Sequence, residues 1–262
     1  MTFDRIEAKN VGQVSLFYTL STENPGSAAV PAEVTGWEVR LNGVQPAAAV
    51  LTAIPQGASV TDGRPARGAR LEIPGEAART LILKLDLDLP APINTPRANS
   101  NNFDEYSANL QVSLSAGNSE TELRAAAAFP RIQEPEFTVT SIAIMQGDLI
   151  NTRFRVDLRV DNPNPFPVDL AAFGYELYGT GRFWAGGKER NVLEIPARDS
   201  AETRLFLVTN FIGMQRGLLD QVIAQGQVPY RFTGEALIST GIPLLPEFRM
   251  DFSRSGVSAV IK

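Results

Sequence analysis

"VDNPNPFPVDLAAFGYELYG" spans Val160 to Gly179 and places Pro163, Pro165 and Pro167 at alternate positions directly behind a stretch of strand character. Each proline removes a backbone donor and biases the residue before it toward extended geometry, so the segment cannot lie inside a central strand. The residues before it, Phe154-Arg155-Val156-Asp157-Leu158-Arg159-Val160-Asp161, alternate apolar side chains with charges of alternating sign. That period of two, with one charged face, marks a half-buried antiparallel strand. The proline run is therefore read as a strand switch in which Asn162 closes a turn by bonding its own backbone, and not as a polyproline ligand.

The same period recurs along the chain. Leu81, Leu83, Leu85, Leu87 and Leu89 alternate with Ile82, Lys84, Asp86 and Asp88; Tyr106, Ala108, Leu110, Val112 and Leu114 repeat the pattern, as do Phe248, Met250 and Phe252. Leu41-Asn42-Gly43, Ala116-Gly117-Asn118 and Gly179-Thr180-Gly181 are turn signals between them. Asn24-Pro25 and Gly36-Trp37-Glu38-Val39 anticipate Asn162-Pro163 and Gly174-Tyr175-Glu176-Leu177 at a common offset of 138 residues, and Leu16, Tyr18 and Leu20 fall on Phe154, Val156 and Leu158. Leu71-Glu72-Ile73-Pro74 returns as Leu193-Glu194-Ile195-Pro196, each followed by a leucine-rich strand. Ordered matches of this kind point to a tandem duplication.

The second copy resembles the type 2 late embryogenesis abundant family, also called the water stress and hypersensitive response domain. The resemblance is carried by Val160, Asn162-Pro163-Asn164-Pro165-Phe166-Pro167, Tyr175, Leu177-Tyr178-Gly179 and Ile195-Pro196-Ala197. It implies an all-β chain of two tandem immunoglobulin/fibronectin-III-like β-sandwiches: residues 1–130 as a divergent copy and residues 135–262 as the fuller one, the second with one short packing helix. Gly213 to Ile223 supplies that helix, with Met214, Leu218, Leu219, Val222 and Ile223 at helical spacing. Asn162, Pro163, Asn164, Pro165, Phe166, Pro167, Tyr175, Ile195 and Pro196 are expected to act structurally. In the first copy about sixteen extra residues, roughly Gln45 to Arg70, read as an inserted loop, and Pro90 to Ser100 has loop composition where the helix would stand.

Composition narrows the chemistry. The chain has 262 residues, a net charge of -5 and neither cysteine nor histidine. Disulfides, thiolate nucleophiles, Cys/His zinc sites and imidazole-based triads are excluded. Lys and Arg are scattered in an acidic background, so nucleic acid is not an expected partner, and no apolar run reaches transmembrane length. Asp86 and Asp88 share one strand face but lack a third ligand, and are read as solvated. The candidate contact points are two loops, Gln45 to Arg70 with Arg64, Arg67 and Arg70, and Arg182 to Arg190 with Phe183 and Trp184 beside a glycine pair.

The resemblance implies a stress-associated role that includes tolerance of desiccation. With 44% hydrophobic residues the chain folds before water is lost, so its action is expected to run through a surface. Neither catalytic residues, nor a cofactor, nor a metal is expected. The expected partner is a protein or an envelope component, and the chain is expected to be a monomer without a transmembrane segment. A bacterial cell-envelope or periplasmic location, behind a leader preceding Met1, is expected ahead of the cytoplasm. Two other classes fit parts of the pattern: an envelope adhesion or scaffolding module, and a carboxylate-dependent enzyme such as a glycosidase, which needs two opposed acids in a cleft.

Overall fold

The computed structural model of the chain describes residues 1–55, 63–90, 104–147, 151–179, 181–210 and 227–261. The chain divides into two compact units, Met1–Ile132 and Gln133–Lys262. Strands of the first unit are β1 (Thr2–Asn10), β2 (Gln13–Asn24), β3 (Val30–Leu41), β4 (Ala49–Pro55), β5 (Arg64–Pro65), β6 (Arg70–Ile73), β7 (Ala77–Asp88), β8 (Glu105–Ala116) and β9 (Ser119–Pro130). Those of the second are β10 (Glu136–Gly147), β11 (Asn151–Asp161), β12 (Val168–Gly179), β13 (Arg182–Ile195), β14 (Ser200–Asn210), β15 (Gln227–Ser239) and β16 (Glu247–Ile261). The fold is all-β, and each unit is a sandwich. The expected packing helix, Gly213 to Ile223, lies outside the described residues, as does Pro90 to Ser100 apart from Pro90.

In the first unit the sheets are β1-β2-β7-β4-β5 and β6-β3-β8-β9. The second runs β13-β12-β15-β16-β10-β11-β14, continuous because Ile142 and Ala143 of β10 pair in parallel with Val260 and Ile261 of β16. Parted at that short junction, it yields β10-β11-β14 and β13-β12-β15-β16, the strand order of β1-β2-β7 and β6-β3-β8-β9. The alternating apolar positions form the inner faces. Leu16, Tyr18, Leu20, Leu83 and Leu85 are fully buried in the first unit, and Phe154, Val156, Leu158 and Val160 in the second. Removing each large side chain from water stabilises by about 1.5–3 kcal/mol. In the second unit Phe137, Phe173 and Phe252 form a mutual cluster, with centroids 5.4 Å (Phe137–Phe173), 5.0 Å (Phe173–Phe252) and 5.0 Å (Phe137–Phe252) apart, which unites strands from both layers.

The proline run alternates inward and outward. Asn162 and Asn164 are buried, whereas Pro163, Pro165 and Pro167 are exposed. Asn162 Nδ2 donates to the carbonyls of Phe166 (2.8 Å), Ile195 (3.3 Å) and Pro196 (3.0 Å), and its Oδ1 accepts from Asn164 N (3.0 Å). One amide thus closes the turn leaving β11 and ties it to the end of β13. Asn24 makes the same set: Nδ2 to the carbonyls of Ala28 (2.7 Å), Ile73 (3.2 Å) and Pro74 (3.2 Å), and Oδ1 from Gly26 N (3.0 Å). Past each Ile-Pro a residue takes a positive φ, Glu76 at 53° and Arg198 at 54°. Their amides donate to Gly26 O (2.8 Å) and Asn164 O (2.9 Å). Asn164 adds a clamp of its own, with Oδ1 accepting from Gln133 N at 2.7 Å and Nδ2 donating to Gln133 O at 2.8 Å.

The reading of Gln45 to Arg70 as an inserted loop is corrected. Ala49–Pro55 is strand β4, paired antiparallel with β7 from Ala49↔Leu87 to Pro55↔Leu81. Leu51, Ala53 and Ile54 are buried, and buried Ala66 donates its amide to Leu51 O at 2.9 Å. The extra residues carry the chain across to the sheet of β1 and β2 and back to β6 beside β3. In the second unit β13 stays with β12 over the whole length, from Val168↔Ile195 to Gly179↔Arg182.

Two outcomes follow. Asn162→Ala strands buried carbonyls and lowers the unfolding free energy of the second unit by about 2–4 kcal/mol. Asn162→Asp does not rescue it, because a carboxylate cannot donate; denaturant unfolding and hydrogen exchange at Asn164 and Arg198 check both. Excision of residues 45–69 unfolds the first unit, read as collapsed amide dispersion in β2 and β7, because β4 leaves with its buried side chains.

Candidate functional site

Strand β13 holds the site. A bulge between Leu177↔Ala185 and Tyr178↔Phe183 gives β13 one extra residue, Trp184. Phe183 and Trp184 face opposite sides by the ordinary alternation of a strand, and the extra residue lets Trp184 and Ala185 both face the core. Phe183 is 52% exposed and Trp184 is 3% exposed. Trp184 stacks on Phe154, with centroids 5.3 Å apart and planes at 15°. Its indole also fills the space over Gly179, where a Cβ would lie 1.9 Å from Trp184 Cζ2. The expectation of a loop at Arg182 to Arg190 with both aromatics as contact points is thus corrected: the segment is strand, and Trp184 belongs to the core.

Phe183 begins an ordered row on the outward side of the sheet. It meets Tyr178 edge-on at 5.6 Å, and the Arg231 guanidinium lies over the Tyr178 ring at 4.3 Å. Tyr178 OH donates to Glu176 Oε2 at 2.7 Å. The next pairings along the ladders are Gly186, Glu176 and Thr233, then Lys188, Gly174 and Glu235. Glycine at 174 and 186 leaves the sheet backbone bare between these side chains, and the result is a depression of roughly 630 Å³ lined by Glu176, Phe183, Gly186, Lys188 and Glu235. On the inner side of the same strands the Tyr175 ring packs on Phe173 and Phe232, and its hydroxyl approaches Gly187 so closely that a Cβ there would sit 2.6 Å from the oxygen. Burial, followed by the charge of Glu189 and a hydrogen bond to it, pushes the Tyr175 phenol up to about 12.

The first unit presents a face at the same strand positions with different chemistry. Its depression is lined by Glu38, Arg40, Asn109, Gln111 and Arg124, without an aromatic ring. Glu38 and Arg40 stand where Glu176 and Tyr178 stand in the second unit, and among the described residues no counterpart of Phe183 flanks them, β4 having joined the other sheet.

The other sequence candidates do not converge. Arg70 pairs with Glu33 at 2.9 Å, Arg64 lies in β5 at the sheet edge, and Arg67 is exposed in the turn that follows. Asp86 is engaged by Ser15 (2.5 Å), Lys84 (2.9 Å) and Lys9 (3.2 Å), while Asp88 accepts from Gln13 at 2.9 Å. Burial alone would raise the Asp86 carboxyl, but the Ser15 hydroxyl and the two ammonium groups outweigh it and hold it below its ordinary 3.8. Among the described residues no group of three or more His, Cys, Asp or Glu side chains could hold a metal ion. Sequence reasoning missed Glu176, Tyr178, Lys188, Arg231 and Glu235. Alternation places Gly174, Glu176 and Tyr178 on one face, but only the β12–β15 register brings Arg231 and Glu235 beside them.

Tyr175 offers a titration test. Its phenol ionises later in the folded protein, near 12, than in the unfolded chain, near 10. Its contribution to stability is therefore complete below pH 10 and is lost as pH rises toward 12. Absorbance at the phenolate band follows the late transitions, to which buried Tyr18 also contributes, and Tyr175→Phe removes one component and lessens the alkaline fall in unfolding free energy.

The sequence model of the Late embryogenesis abundant protein family matches residues 157–256. No curated protein matches the chain. Similar solved structures include a solution structure from Arabidopsis thaliana, at 18% identity and a TM-score of 0.40, covering 51% of this chain and 86% of that one. A crystal structure of a protein from Archaeoglobus fulgidus has 12% identity and a TM-score of 0.30, covering 49% of this chain and 96% of that one. A β-glucuronidase from Bacteroides uniformis has 10% identity and a TM-score of 0.29, covering 95% of this chain and 28% of that one. The matched span holds the Asn162 to Pro167 turn, Tyr175, Gly179 and Ile195-Pro196, so it is over these residues of the second unit that the chain is similar to the late embryogenesis abundant protein family.

Proposed function

We propose that this protein is a non-enzymatic, stress-associated protein that protects during water loss by surface contact, using the outward face of β12, β13 and β15. The exposure of Phe183 carries the reading: a large ring left half in water beside a bare glycine backbone gains stability when a partner covers it. The Arg231–Tyr178–Glu176 row holds the surrounding polar groups in place, so contact costs little side-chain ordering.

The absence of catalysis is part of the proposal. The chain has no histidine or cysteine to serve as a base or nucleophile. Glu176 and Glu235 border the depression, but both rise from one side of one sheet, whereas glycoside cleavage needs acids on opposite sides of the scissile bond. The reading includes a monomer acting at the cell envelope, the compartment that meets drying first, against a protein or an envelope component. A net charge of -5 favours separation of copies.

Neighbouring residues give opposite outcomes. Phe183→Ala keeps the unfolding midpoint and loses protection of a drying-sensitive enzyme dried and rewetted with the protein. Trp184→Ala empties the space beside Phe154 and costs about 3–5 kcal/mol of stability. Full protection by Phe183→Ala would remove this face as the contact surface.

A further inference from the structure

We propose that the depression over Gly174 and Gly186 binds a neutral oligosaccharide, with Phe183 as the platform for the apolar side of a sugar ring and with Glu176, Glu235 and Lys188 bonding its hydroxyls. This assignment of ligand class rests on the outward face of β12, β13 and β15 being the contact surface.

The geometry of Phe183 comes first. Its Cε2 lies 3.7 Å from where a Gly186 Cβ would stand, so the ring rests against the strand backbone beside the depression. A pyranose presents a patch of C–H bonds on one side and hydroxyls around its rim. It needs an aromatic surface flanked by both donors and acceptors, and this face supplies them. Glu176 is held through Oε2 by the Tyr178 hydroxyl, leaving Oε1 to accept from a sugar hydroxyl without a search for its rotamer. The Lys188 stem passes over Gly174, with Cγ 3.8 Å from the position of a Cβ there, and its ammonium supplies donors at the far wall.

Charge decides against ionic ligands. Around the depression Glu176 and Glu235 stand against Lys188 and Arg231, and beyond them exposed Asp251 beside Glu235 is offset by Arg190 on β13, so charges of both signs alternate without a field of one sign to attract an anion or a cation. A bound polypeptide fits less well. The neighbouring free edge of β13 carries the consecutive charges Lys188, Glu189 and Arg190, which oppose strand addition, and the floor is bare backbone without separate apolar side-chain pockets. At roughly 630 Å³ the depression lies within the ordinary range of small-molecule sites.

The test is an amide-detected titration of the full chain with neutral glucose hexamers, β-1,4-linked and α-1,4-linked, beside a reduced and carboxymethylated unfolded protein. Saturable shifts at Gly174, Phe183, Gly186 and Lys188 with a hexamer are expected. Phe183→Ala should weaken binding about tenfold or more, equivalent to at least 1.4 kcal/mol. Glu176→Gln and Glu235→Gln should each weaken it while leaving the spectrum of the free protein folded. Absence of saturable shifts with either hexamer at about 10 mM, equal shifts in Phe183→Ala, or shifts with the unfolded protein alone would overturn the assignment. If the hexamers fail while protection during drying still depends on Phe183, the ligand class falls and the contact face stands. If a hexamer binds and protection is indifferent to Phe183, the sugar site stands and the protective role of the face falls.

Discussion

A single buried carboxamide, repeated once in each unit, organises the rest. Asn162 must both donate and accept, because the chain leaving β11 turns sharply and the chain leaving β13 ends against it, and each leaves buried backbone groups without ladder partners. Only an amide side chain of this length joins an acceptor for the turn to a donor shared among three carbonyls. The prolines then act by subtraction. Exposed at alternate positions, they keep the segment from continuing as strand and leave the asparagines to face inward. Asn24 achieves the same closure with Gly26, Ser27, Ala28 and Ala29 in place of the proline run, so the amide is the common requirement.

What the sequence made legible was local. Period two located the inner faces of β2, β7, β8 and β11, and the recurrence of Asn-Pro with Leu-Glu-Ile-Pro led to the residues that share one hydrogen-bond pattern in both units. What escaped was decided by partners distant along the chain. Ala49 to Ile54 alternates only weakly and is hemmed by glycine and proline, so the sequence of β4 reads as loop; its burial depends on the ladder to β7. Phe183 and Trp184 are parted by plain strand alternation, but the flanking glycines hide the strand, and no local pattern announces the bulge that turns both Trp184 and Ala185 inward. The arginines at 64, 67 and 70, candidate contact points of one loop in the sequence, are distributed by the fold over an edge strand, a turn and an ion pair.

The two units differ chiefly in where one strand goes. In the first, the chain after β3 crosses to the opposite layer, and the face beside Glu38 and Arg40 is left without an aromatic flank. In the second, β13 stays and brings Phe183, Gly186 and Lys188 beside Glu176. The same strand order thus carries a charged face in one unit and an aromatic one in the other. A single strand placed in the other layer alters a surface far more than substitution of its exposed residues would, because it removes the backbone that holds them.

The parallel pairing of Ile142 and Ala143 with Val260 and Ile261 bears on how the second unit carries load. Tension applied at the beginning of β10 and at the end of β16 pulls these neighbouring strands in opposite directions along their own axes. Their hydrogen bonds, which run across the strands, are then strained together instead of opening one at a time as in a zipper. In the first unit β1 and β9 sit at separate sheet edges, and among the described residues no ladder joins them. The second unit therefore has a mechanical latch between the strands nearest its two ends, and a chain stretched from end to end yields first in the unit that lacks it.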